Sequence, residues 1–260
     1  METLLVEREA GIVTVTMNRP HKKNAANGLM FEELLEIFRE VERNPDDRCM
    51  VLTGAGGDFC TGADLSDASG PAMDLSQPGI VRMRRLGEVA MALHQITKPT
   101  IARVDGLAVG AGLSMAIGCD LIIASDRARF SMIFARRGLS PDMGASWLLP
   151  RQVGMATAKE LILLGDIIDA PTALSKGLVN RVVPLDELDG VIAEVAARLG
   201  SGPTIALSLA KTLLNNAFAT SMSQALEDEG RAQSINFESE DTAEAIGAFL
   251  SKRSPNFKGR

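Results

Sequence analysis

Three places in the chain bring together residue types with chemical use. The segments "GDFCTGADL" (57–65) and "VDGLAVGAGLSMA" (104–116) are glycine- and alanine-rich loops, each following an apolar, strand-like run. The second belongs to the stretch 106–120, which holds four glycines and three alanines. A core strand would use Val and Ile there, and a core helix would avoid glycines, which cost roughly 1 kcal/mol each against alanine. A backbone so stripped of side chains admits close approach. Two such loops that converge their uncovered N–H groups on one oxygen would make an oxyanion hole. A helix opening at the second loop would add partial positive charge. Tight strand-to-helix turns that need only close packing explain the same composition, and spacing alone does not choose. The third place is "GLSPDMG" (138–144), where Asp142 is either the N-cap of a following helix or a general base.

Other chemistries lack their residues. "GAGGDF" and "GAGLSM" break the dinucleotide pattern G-x-G-x-x-G at Phe59 and Met115, and no P-loop sequence occurs. Ser114 and Ser146 both miss G-x-S-x-G. A serine triad would have to draw on His21 or His94, and His94, near a helix end, is expected to be structural. No cluster of His, Cys and carboxylates suggests a metal. Cys49, Cys60 and Cys119 form no C-x-x-C pair and read as buried free thiols of a reducing compartment. The net charge is 27 − 33 = −6, with basic residues scattered apart from short groups such as Arg136-Arg137, which argues against nucleic acid. No apolar run reaches the roughly 20 residues a membrane span needs. Without a leader-like start, the expected location is the cytoplasm.

The elements that must position these residues are read from periodicity. Residues 4–6 and 12–15 flank Gly11 as a hairpin, and 29–43 form a helix with Phe31, Leu34, Leu35, Phe38 and Val41 on one face. Strands are expected at 49–54, 100–104, 120–125 and 128–132, a helix at 80–95, and a surface loop at 66–78. Helical patterns follow near 155–164, 186–199, 203–217 and 223–252. This order predicts an α/β spiral over 1–200 and a helical tail over 201–260. The apolar residues Phe218, Leu226, Ile235, Phe237 and Phe249 of the tail would meet either a partner subunit or each other.

Five segments recur, in this order, in one known family: "NRPHKKNAAN", "FCTGADL", "KPTIARVDGLAVGAGLSMAIGCDLIIAS", "ARFSM" with "GLSPDMGASWLLPRQVG", and "AFLSKRSPNFKGR". Over essentially its whole length the chain resembles the enoyl-CoA hydratase/isomerase (crotonase) superfamily. The resemblance implies a right-handed ββα superhelix whose C-terminal helices assemble trimers or dimers of trimers. It places an oxyanion hole at the backbone N–H groups of Ala63 and Ala111, to hold the carbonyl of an acyl-CoA thioester. Ala63, Asp64 and Leu65 would line the coenzyme, as would Phe249 and Lys252 of the tail, often from a neighbouring subunit. A lysine there suits phosphate as a point charge. Coenzyme A arrives as part of the substrate, and no further cofactor is implied.

The family varies its acid–base groups, so the fold does not fix the reaction. Where hydratases of the family carry two glutamates, this chain has Ser114 and Phe134, which argues against water addition. The segment with Asp142 is most similar to enoyl-CoA isomerases, including the ring-epoxide (1,2-epoxyphenylacetyl-CoA) isomerases, which share a similar "PD", "WLLPR" and "KRSP". In that branch the aspartate is the base. Ser114, Phe134 and Trp147 are then expected to line the acyl pocket, with Phe134 and Trp147 close enough to raise the pKa of Asp142. The loop 66–79 and the segment 82–86 are expected to shape that pocket. The competing readings are a hydratase, a dehalogenase using His94 as base, and a non-catalytic acyl-CoA-binding protein.

Overall fold

The computed structural model describes residues 1–66 and 76–260. The chain opens with a hairpin of β1 (Leu4–Glu9) and β2 (Ile12–Met17), closed by Ala10 and Gly11. Both turn residues have positive φ, 50° and 79°, as a two-residue hairpin with right-handed strand twist requires. Asn27 caps α1 (Gly28–Arg43) by accepting from the Met30 amide, and Met30, Phe31, Leu34, Phe38 and Val41 bury one stripe of that helix.

β3 (Cys49–Gly54) pairs in parallel with β2, and its unbroken buried run fits a strand covered on both faces. After α2 (Gly79–His94), β4 (Thr100–Val104) extends the same sheet. The chain then steps to a second sheet at β5 (Leu107–Val109), forms α3 (Ala111–Gly118), and returns to the first at β6 (Leu121–Ser125). β7 (Arg129–Ser131) adds to the second sheet. Two helices, α4 (Ala145–Val153) and α5 (Met155–Leu164), precede β8 (Ile168–Asp169) of the second sheet. α6 (Ala170–Ser175) leads to β9 (Arg181–Val183) at the edge of the first sheet. The larger sheet has order β1-β2-β3-β4-β6-β9, and the smaller β5-β7-β8. From β4 to β7 successive strands alternate between the two sheets, and the glycine-rich stretch 104–116 falls in the first of these steps.

α7 (Leu185–Gly200) covers the outer face of the larger sheet, with Leu188, Ile192 and Ala196 against Cys49, Val51, Ile101 and Ile123. α8 (Thr204–Asn216), α9 (Met222–Glu238) and α10 (Glu240–Leu250) close the chain. α8 is tied to the body by Lys211, which pairs with Asp120 at 2.7 Å. The pattern at 223–252, expected as one helix, is two. Ser239 is extended there (ψ 147°) and its side chain accepts from the Thr242 amide, which starts a new helix. Cys49, Cys60 and Cys119 are buried free thiols, each pushed up to about 12 by burial, so none is a ready nucleophile. No described helix is long and apolar enough to cross a membrane.

Candidate functional site

The two glycine loops lie against each other. Cys60 forms a parallel bridge to Ala108 of β5, its amide donating to Leu107 O and its carbonyl accepting from the Val109 amide, both at 2.9 Å. Three residues on, the bridge is to the other side: Ala26 N donates to Gly62 O and Asp64 N to Ala26 O, both at 2.8 Å. A parallel bridge of this kind uses the groups flanking Ala63 and directs its own N–H away from Ala26. Among the described residues, neither the Ala63 nor the Ala111 amide donates to a protein acceptor.

Two glycines explain how closely these amides can sit. A Cβ on Gly62, whose φ is 96°, would lie 3.0 Å from Val109 O and 3.5 Å from the Ala111 nitrogen. One on Gly112 would meet Cys60 O at 2.2 Å. Contact this tight leaves no room for a side chain, so the close-packing reading of the loops is correct as far as it goes. Packing does not account for the two amides left over. Ala111 is the first residue of α3, where the helix end adds partial positive charge.

Asp142 reaches the same space. A cavity of about 300 Å³ is lined by Ala63, Ala111, Phe134 and Asp142, with Leu65, Val109 and Ile133 among its apolar walls. The N-cap alternative fails, because α4 begins at Ala145, Gly144 holds the cap position, and no side chain caps the helix. Met143 (φ 50°) and Gly144 (φ 79°) are both left-handed, and the Ala145 amide bonds to the Asp142 carbonyl. That double left-handed step turns the Asp142 side chain out of the cap. Met143 is buried, and its packing holds a conformation uncommon outside glycine. Asp142 Oδ1 is buried without any hydrogen-bond partner. Burial pushes this carboxyl up to about 6, outweighing its contact with its own amide. A carboxylate with a pKa near neutrality, beside apolar walls and two uncommitted amides, is equipped to take and return a proton.

The other expected residues divide. The Phe134 ring covers Gly110, with Cζ 4.0 Å from where a Cβ there would stand. Leu65 is on the cavity wall, exposed. Asp64 is adjacent but its carboxylate is committed. It is buried, pairs with Arg19 at 3.0 Å and accepts from both the amide and the hydroxyl of Ser66. Burial works to raise its pKa, but the bonds from Ser66 and Arg19 outweigh it and hold the carboxyl low. Ser114 does not reach the cavity, since its hydroxyl turns back one helical turn to Gly110 O at 3.2 Å.

Trp147 is also elsewhere. It lines a second cavity, about 500 Å³, under the Arg151 guanidinium and 5.3 Å from the His94 ring. Phe134 therefore shares the cavity that holds Asp142, and the indole does not. His94, whose pKa burial pushes down, shares that second cavity and not the one holding Asp142, which removes the base that the dehalogenase reading requires. Phe249 and Lys252 stand exposed at the end of α10, outside the cavity. Among the described residues, 82–86 does not line it either, and Arg85 there is paired with Glu32 and Glu88. Most of the loop 66–79 lies outside the described residues. Arg137, Leu139 and Ile167 line the cavity without having been expected. Arg136-Arg137 is visible in the sequence only as a charged doublet, and Ile167 precedes a strand too short to leave a period. Among the described residues no group of His, Cys and carboxylates could hold a metal.

Residues 7–260 match the family model for enoyl-CoA hydratase/isomerase, and the chain belongs to that family. It is 39% identical over its full length, and over the full length of the relative, to the 1,2-epoxyphenylacetyl-CoA isomerase of Escherichia coli. It is 34% identical, over 100% of its length and 99% of the relative, to a short-chain-enoyl-CoA hydratase of Clostridium acetobutylicum. A solved Mycobacterium abscessus structure, provisionally described as an enoyl-CoA hydratase/isomerase, superimposes with a TM-score of 0.92 at 37% identity. That match covers 99% of this chain and 100% of the other. The α/β architecture of two mixed sheets and surrounding helices is thus that of solved members of this family.

Proposed function

We propose that the protein is an enoyl-CoA isomerase with a single acid–base group, acting on a double bond or a ring epoxide next to a thioester. The observation that carries this reading is the buried Asp142 Oδ1, without a hydrogen-bond partner, in the same cavity as the uncommitted amides of Ala63 and Ala111. In a 3-enoyl thioester the carbonyl oxygen sits between the two amides, and Asp142 removes a proton from the carbon beside it. The electron pair moves onto that oxygen, where two N–H donors hold the enolate. Asp142 then delivers the proton to the far carbon of the conjugated system, so the double bond shifts and no atom is gained or lost. One carboxylate serves both steps, because it is a base and then an acid. Asp142 is the only carboxylate among the described residues lining the cavity, which favours isomerisation over water addition, where two have work to do.

The same reading assigns a right-handed winding to the strand alternation and a homotrimer, or a dimer of trimers, to the tail. Phe218, Phe237 and Phe249 are 73%, 71% and 82% exposed, a cost in water that a neighbouring subunit would remove. In that assembly Phe249 and Lys252 would reach a neighbour's coenzyme. The substrate brings coenzyme A, no other cofactor takes part, and the cytoplasm is the proposed location. The test is to supply 3-enoyl-CoA and 2-enoyl-CoA separately and follow the absorbance of the conjugated thioester. A rise with the first and no fall with the second supports an isomerase. A fall with the second is hydratase activity; no change with either, and none with a ring-epoxide thioester, leaves an acyl-CoA-binding protein.

A further inference from the structure

The segment "NRPHKKNAAN" (18–27) has no part in the chemistry just described, yet it lies against the loop that carries Ala63. Pro20–Lys22 forms a 3-10 turn, and Lys23 and Asn24 follow it with φ of 51° and 55°. This left-handed pair folds the segment back on itself, and Asn24 braces the fold. Its Oδ1 accepts from the Arg19 amide at 2.9 Å, and its Nδ2 donates to Ala55 O and Asp58 O at 2.8 and 2.7 Å. The Arg19 side chain reaches the other end of the same loop. Nη1 donates to Ala25 O, and Nη2 pairs with Asp64 Oδ2 at 3.0 Å. Arg19 is buried and does not line the cavity, so whatever it does for the site it does through the chain.

The guanidinium spans the place where the Ala63 amide is aimed. Ala26 and Ala63 form a bridge outside the named strands, held by the two backbone bonds that flank Ala63. Arg19 ties the residue before Ala26 to the residue after Ala63, so a single planar fork clamps both sides of that bridge. Arginine suits this task because its donors are fixed relative to one another and it stays charged when buried. An oxyanion donor stabilises charge most when it is already aimed and need not reorganise during the reaction. We propose that Arg19 is a positioning residue for the oxyanion hole, holding the Ala63 N–H toward the thioester oxygen by clamping Ala25 to Asp64. This rests on the reading of Ala63 as an oxyanion donor and not on which reaction follows.

Hexanoyl-CoA with an isotope-labelled carbonyl reads the two amides without turnover, because their hydrogen bonds lower the carbonyl stretching frequency in infrared difference spectra. The unaltered protein should lower it relative to the free thioester. Arg19→Met should lose part of that lowering with little change in affinity. Its kcat on 3-enoyl-CoA should fall by roughly ten- to a hundredfold with KM nearly constant. Arg19→Lys, which can keep one of the two contacts, should recover part of both. Asp64→Asn keeps the size, removes the charge and should show a smaller loss of the same kind. These two variants decide the matter if a thermal melt shows that Arg19→Met does not fold. A full carbonyl shift with parental kcat in folded Arg19→Met, or in both milder variants, would overturn the proposal, since the pair would then serve stability alone. A raised KM with unchanged kcat would also overturn it. No binding of hexanoyl-CoA, or no lowering in the unaltered protein, would overturn the oxyanion-hole reading itself. Normal lowering without turnover of 3-enoyl-CoA would overturn only the reaction, and the carbonyl shift would still test Arg19.

Discussion

Two cavities lie at the two ends of α3. Gly110 and Ala111 at its start line the smaller, about 300 Å³, and Ile117 and Gly118 at its end line the larger, about 500 Å³. The larger is richer in groups that catch the eye: His94, Trp147, Arg151, Lys211 and Phe218. Its charges, however, are largely spent on the fold. Lys211 pairs with Asp120, and the Arg151 guanidinium stacks 3.7 Å over the Trp147 ring while Nη1 donates to Trp147 O. Arg151 Nε, which has no acceptor, belongs to that stacked guanidinium. In the smaller cavity the groups left over include Asp142 Oδ1 and two amides. Native structures rarely leave buried polar groups unsatisfied, so the leftover groups mark the site better than volume does.

The sharpest way to break this comparison is at Asp142. Asp142→Asn keeps the volume and removes the proton acceptor, and turnover of 3-enoyl-CoA should fall by about 10²–10⁴-fold with acyl-CoA binding retained. Unchanged turnover would return the site to a binding role. The same exchange should stabilise the fold. The folded pKa, about 6, lies above the ordinary 3.8, so the protonated form's stabilising contribution is complete below pH 3.8 and lost as pH rises through 6. At pH 8 the Asn variant should therefore be more stable, by on the order of 1–3 kcal/mol, in denaturant titration. A variant less stable than its parent would mean that the carboxylate is paired after all.

Next in size is the contact that sets the amides. Gly112→Ala drives a methyl into Cys60 O, which can retreat only by moving the segment that carries Ala63. Overpacking of this kind costs about 1–3 kcal/mol, and kcat should fall with it because the two donors separate. Wild-type kcat in a destabilised Gly112→Ala protein would detach the amides from the chemistry. The pH profile is a gentler probe. kcat/KM should be flat above neutrality and fall as pH drops through about 6, since the base must be ionised to accept. A limb near 4 instead would place Asp142 in contact with water.

The sequence carried the long elements and the loops because both follow from local rules. α1 and β3 bury regular faces, and Gly62 and Gly112 stand where another backbone leaves no room. What it did not carry was direction. Met143 is left-handed although nothing in its type asks for it, and that step turns the chain before α4 begins. Trp147, close to Asp142 along the chain, consequently projects into the other cavity. Ser114 was legible as a helix residue but not as one whose hydroxyl returns to its own backbone. Strands of two or three residues, such as β5, β8 and β9, are too short to show a period, and their pairing comes from the sheet they join.

The smallest expected effect falls in the larger cavity. Trp147→Leu removes the ring beneath Arg151 and beside His94, a cation–π contact worth about 0.5–2 kcal/mol with a partly exposed ring. The melting temperature should drop by a few degrees. Because the ring lies outside the cavity holding Asp142, kcat and the pH at which activity falls should stay where they are. Had the indole helped to bury the carboxylate, its loss would lower the pKa and move the acid limb of the profile with it. A stationary limb in a less stable protein is what two separate cavities require. A shifted limb would join them through α4, the helix that starts beside Asp142 and carries Trp147.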